Sequence, residues 1–179
     1  EGFIAVQAED REKVEEIGRE VLRLATALAI EDAVKKNTQV ILDSAREGDW
    51  ANIKRELDRT QKTVRETMET MRDDELAQCV SIGGWIRGTE ALTNLIDEAY
   101  NRDKAELLNQ PFLVEHFSDR IKAMSPDVRD HDTIKSVAAG LDKIREHMGT
   151  GDEVPDQTVV KQVHEICKSL NLEITSDKG

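Results

Sequence analysis

Residues 8–46, AEDREKVEEIGREVLRLATALAIEDAVKKNTQVILDSAR, decide the fold class. Val14, Ile17, Val21, Leu24 and Leu28 recur three and four residues apart, the spacing that gathers apolar side chains on one face of a helix. A second stripe, Ile30, Val34, Asn37, Ile41 and Ala45, keeps that spacing in a shifted register. One helix that changes its buried face midway is therefore expected from about Ala8 to Arg46. Such a helix would be on the order of 55 Å long and would bend or project at one end.

Working outward, Gly48 stops this helix and Asp49 is placed to cap a second, whose seam is Trp50, Ile53, Leu57, Thr60, Val64, Met68 and Met71. Asp73 or Asp74 caps a third, running to about Asn101, with Leu76, Cys79, Val80, Ile82, Trp85, Ile86, Leu92, Leu95 and Ile96 over an arc wide enough to predict a central helix. Shorter segments follow. Asp103 to Leu108 precedes a Pro111-initiated helix from Gln110 to Met124, and Thr133 to Met148 is stopped by Gly149. After a surface loop from Gly149 to Asp156, a last helix reaches Leu170. No segment shows the period-two alternation of a strand. The expectation is an all-α fold, an antiparallel bundle of three long helices closed by three or four shorter C-terminal ones. It is expected as one domain over residues 1–179, with residues 1–7 and 175–179 as loosely ordered tails.

Composition narrows the function. The 179 residues carry 25 Lys and Arg against 37 Asp and Glu, a net charge of -12 that repels phosphate backbones and anionic headgroups alike. Neither a nucleic-acid partner nor membrane insertion is expected, since every apolar run is broken by charge well short of roughly 18 residues. The first residue, Glu1, the small-residue stretch Val6-Gln7-Ala8, and the even pair Cys79 and Cys167 lean towards an exported protein, periplasmic or secreted, with the cytoplasm as the alternative.

An all-helical chain raises the question of a di-iron carboxylate site, which needs Glu-x-x-His pairs on one helix face. Leu113, Val128, Ile144 and Lys161 stand three residues before the four histidines, so the motif is absent. His164 and Cys167 share a face, but two ligands do not complete a zinc set. No metal, cofactor or catalytic residue is expected, as neither a nucleophile elbow nor a phosphate loop is present.

The unusual segment is Ser81-Ile82-Gly83-Gly84-Trp85-Ile86-Arg87-Gly88-Thr89-Glu90, where three glycines interrupt a helical pattern at about 1 kcal/mol each. The first reading is close packing: Gly84 and Gly88 form a groove for a ridge of Ala25, Ala29 and Ala33 on the first helix. A Gly84→Leu change would then cost several kcal/mol. The second is a cavity lined by Ser81, Trp85, Arg87 and Glu90, in which Arg87 grips an anion or carboxylate and Trp85 stacks on a flat group. Without a ligand, Arg87 would meet an internal carboxylate such as Glu90. The expected function is a non-enzymatic helical binding or protein-interaction module. The alternative is a small-ligand receptor for an anion or carboxylate around Trp85 and Arg87.

Overall fold

The computed structural model describes residues 1–70 and 74–176, apart from the Glu69 side chain, and among them every regular element is helical. Met71 and Asp73, assigned above to a seam and a cap, lie outside the described residues, as does the tail beyond Ser176. The chain packs as two compact units, Glu1–Ala77 and Gln78–Gly179, with the division inside a helix rather than at the Gly, Pro or Ser-rich linker that a sequence reading looks for.

Unit 1 begins with a helix where a loose tail was expected. Helix α1 (Gly2–Gln7) buries Ala5 and Val6 against Val14, Ile41 and Ile53, so two apolar residues anchor the segment that sequence reading left unattached. The expected single helix from Ala8 to Arg46 is two helices, α2 (Arg11–Ala27) and α3 (Glu31–Glu47). Between them the Ile30 amide donates to the Ala25 carbonyl at 2.9 Å and the Ala29 amide to the Thr26 carbonyl at 3.1 Å. Ala29 takes a left-handed φ of 56°. This is the six-to-one and five-to-two pairing of a Schellman turn, completed by the packing of Ile30 beside Ala25 in one core cluster. The α3 terminus shares the six-to-one bond and the left-handed residue: the Asp49 amide bonds the Ser44 carbonyl at 2.9 Å, the Gly48 amide bonds that carbonyl too, and Gly48 takes φ 76°. The register shift between the two stripes is thus a chain reversal. It also dissolves the supposed ridge, because Ala29 lies in the turn, while Ala25 and Ala33 belong to different helices that share a core with Val34 and Met68.

Asp49 caps α4 (Trp50–Thr70) through the Asn52 amide at 3.0 Å, as the sequence predicts. Turns this short return each helix alongside its predecessor, and α3 packs on both α2 and α4. At Gly18 a Cβ would stand 2.9 Å from Leu42 Cδ2, so the missing side chain there lets α2 and α3 close up.

In unit 2, α5 (Asp74–Glu98) buries Ile82, Ile86, Thr89, Thr93 and Ile96. Packed into the same core are Val114, Phe117 and Ile121 of α7 (Pro111–Lys122), which follows the short α6 (Arg102–Ala105) and a 3-10 turn at Glu106–Leu108. After another short helix, α8 (Pro126–Arg129), come α9 (Asp132–Met148) and α10 (Gln157–Thr175), contributing Leu141, Ile144, Val160, Val163 and Cys167. Gly140 is the close-approach glycine of this unit, since a Cβ there would fall 2.6 Å from Leu170 Cδ1. Among the described residues no helix is long and apolar enough to cross a membrane.

The turn at Ala29 makes a signed prediction. Ala29→Gly relieves a left-handed alanine and is expected to raise stability by roughly 1 kcal/mol in chemical denaturation. A continuous helix there would instead lose about 1 kcal/mol to the same change.

Candidate functional site

At 100° per residue, the buried stripe of α5 divides the rest of the helix into two flanks. Trp85, Gly88 and Leu92 follow one side of it, and Arg87, Glu90 and Asp97 the other. The four residues nominated from sequence are therefore not one cluster. Arg87 meets Glu90, Trp85 faces a different flank, and Ser81 is exposed.

The Trp85 flank borders a groove of about 190 Å3. Helix α5 supplies Trp85, Gly88, Thr89 and Leu92, the segment before α7 supplies Leu107, Leu108 and Gln110, and Met148 closes the end. Trp85 is held from two directions. Its ring lies 5.6 Å from that of Phe117 at a tilt of 59°, and its indole N–H donates to Gln110 Oε1 at 3.3 Å. Gln110 in turn donates to the Leu107 carbonyl at 2.8 Å, so the amide is oriented from both ends. No charged side chain lines the groove. At its rim Leu107 remains 56% exposed.

The opposite flank is ionic and closed on itself. Glu90 Oε2 accepts from Arg87 Nη1 at 2.5 Å and from Asn171 Nδ2 of α10 at 2.6 Å. Burial pushes the Glu90 carboxyl up, but the hydrogen bonds from Arg87 and Asn171 and the Arg87 charge outweigh it and hold the group below the usual glutamate range. The Thr93 hydroxyl donates to the Thr89 carbonyl at 2.8 Å. His164 Nδ1 lies 3.1 Å from that hydroxyl and 3.3 Å from the Glu90 carbonyl. Cys167, one turn from His164, is fully buried; burial first, and then the Glu90 charge, push its thiol up to about 12. It stays protonated at neutral pH. Cys79 and Cys167 are not joined in a disulfide, and no group of three metal-ligating side chains is found among the described residues.

The glycines of α5 do not serve the packing expected of them. A Cβ built at Gly83, Gly84 or Gly88 would meet nothing within 4 Å, so the several-kcal/mol penalty foreseen for filling Gly84 has no steric origin. Close packing falls to Gly18 and Gly140 instead, neither of which stands in a conspicuous motif. Sequence reasoning found the right stretch of α5 but missed Gln110, Leu107 and Met148, whose approach to Trp85 depends on long-range folding. Only Gln110, standing immediately before a helix-starting proline, was visible as a position with a fixed backbone.

No protein-family model, curated protein or solved structure matches this chain.

Two stability measurements follow. Gly84→Ala is expected to raise stability by up to about 1 kcal/mol, since the helix gains propensity and nothing is crowded. For Glu90, a folded pKa below the unfolded one means a contribution present above the unfolded value of roughly 4.3 and lost as pH falls through the folded value. Urea denaturation across that acid range should therefore show the wild type losing its advantage over Glu90→Gln. A pH-independent difference would contradict the assigned network.

Proposed function

We propose that the protein is a non-enzymatic helical binding module that receives an apolar group of a protein partner in the groove beside Trp85. The observation that carries this reading is an uncharged groove, open to solvent, whose walls are fixed by the Trp85–Gln110–Leu107 hydrogen-bond chain and whose rim leaves Leu107 half in water. Concave apolar surface with a few oriented polar groups is the usual form of a binding site. Gly88 contributes by its missing side chain, since open space lies where its Cβ would be. The other reading, an anion or carboxylate receptor at Trp85 and Arg87, has the Arg87–Glu90 pair against it: a protein carboxylate already occupies the guanidinium, which faces away from the groove.

Gly88→Phe tests the proposal, because it fills the groove without steric conflict at the Cβ. Titrating the wild type with N-acetyl-leucinamide, a neutral mimic of an apolar side chain, should shift the Trp85 indole N–H and Gly88 amide NMR signals. Gly88→Phe should weaken that binding at least about tenfold while its unfolding midpoint stays equal or rises. Shifts confined to other surfaces, or undiminished in the variant, would refute it.

A further inference from the structure

We infer that the groove beside Trp85 receives Phe112 of a second copy of this chain, in a reciprocal pair where each copy inserts its phenylalanine into the other. The inference rests on the binding-module reading above and names the partner.

Phe112 carries the argument. At 81% exposure it is the most exposed large apolar side chain among the described residues, and it stands at the second position of α7. Single exposed apolar side chains are ordinary on a protein surface, so exposure alone decides nothing. Position does. Gln110 is a wall of the groove and Phe112 follows it by two residues, so their Cα atoms lie within about 7 Å of each other. Pro111 fixes the backbone between them at the start of α7, and its ring packs so closely on Gly151 that a Cβ there would stand 2.8 Å from Pro111 Cγ. Phe112 therefore starts next to its own groove without lining it.

A knob and a hole side by side in one patch are what a two-fold contact requires, because the same patch must serve on both copies. The exchange closes at two chains and leaves neither knob nor hole free. The hole also fits the knob. A groove of about 190 Å3 takes a single ring, since a cavity of roughly 150 Å3 holds benzene. The indole of Trp85 and the thioether of Met148 offer edge and sulfur contacts to an aromatic guest. No charged side chain lines the groove, so a phenylalanine enters without stripping water from an ion.

Size sets the strength. At 81% starting exposure, two phenylalanine rings and the walls they cover remove roughly 500–800 Å2 from water, less than the ~1,200 Å2 at which standard interfaces begin. The pair is weak and reversible, with a Kd on the order of 0.1 mM. Each copy carries a net charge of -12, and salt screens that repulsion without touching the apolar contact, so the pair tightens as ionic strength rises.

Sedimentation equilibrium of the full chain from about 10 µM to about 1 mM should show the mean mass rising from that of one chain towards that of two. Association should be severalfold tighter in about 0.3 M than in about 0.03 M salt. Phe112→Ala removes the knob and Gly88→Phe fills the hole, and each alone should weaken self-association at least about tenfold. The two variants should nevertheless bind each other, since one keeps the hole and the other the knob. Unlabelled Gly88→Phe added to 15N-labelled Phe112→Ala should shift the Trp85 indole and Gly88 amide signals, whereas unlabelled Phe112→Ala should not. A wild type that stays monomeric to about 1 mM, self-association undiminished in Phe112→Ala, or no shift in the mixed pair would overturn the inference. If N-acetyl-leucinamide still moves the Trp85 and Gly88 signals of a monomeric wild type, the groove takes another partner and only the inference falls. Silence from that amide together with no self-association sinks both.

Discussion

The methyl groups of Leu170 occupy the space that a side chain at position 140 would need, and the second unit depends on that approach. Because residue 140 is glycine, α10 settles close against α9, and the face of α10 that carries His164, Cys167 and Asn171 is brought to α5. Asn171 can then reach Glu90, and Thr93 can stand beside His164. These contacts join the Glu90 side of α5 to α10. With Glu90 turned to α10 and the isoleucine stripe turned to the core, Trp85, Gly88 and Thr89 have one direction left, the groove. The apolar site is thus aimed by an ionic one on the other side of the same helix.

Much of this was legible locally. Asp49 and Asp156 cap the helices that follow them, Pro111 starts α7, and Gly149 ends α9, because each signal is a residue acting on its own backbone. The break in residues 8–46 was not legible, and the reason is specific. Helix ends at Glu9, Ala29 and Gly48 all use a left-handed residue, but only the last has the amino acid that announces it. An alanine at φ 56° is paid for by the burial of Ile30 beside Ala25 and Val34, a tertiary effect that a helix-propensity reading counts in the wrong direction.

The candidate site divides in the same way. Three glycines in ten residues marked the right part of α5, and the internal Arg87–Glu90 pair followed from charge and spacing alone. What spacing could not give was which flank each residue would occupy once Ile82, Ile86 and Ile96 chose the core, nor that residues 107, 110 and 148 would meet Trp85. The open positions at Gly84 and Gly88 show how a glycine motif misleads: the same residue type serves close contact at 18 and 140 and empty space at 84 and 88.

The burial of Cys167 has a consequence of another kind. A cysteine reacts with peroxide or a disulfide by attacking it as the thiolate, and only where the two can meet; in the folded chain the Cys167 sulfur is buried, and burial holds its thiol in the protonated form. The thiol on the helix that orients Glu90 is thereby set apart from thiol–disulfide exchange for as long as α10 stays packed.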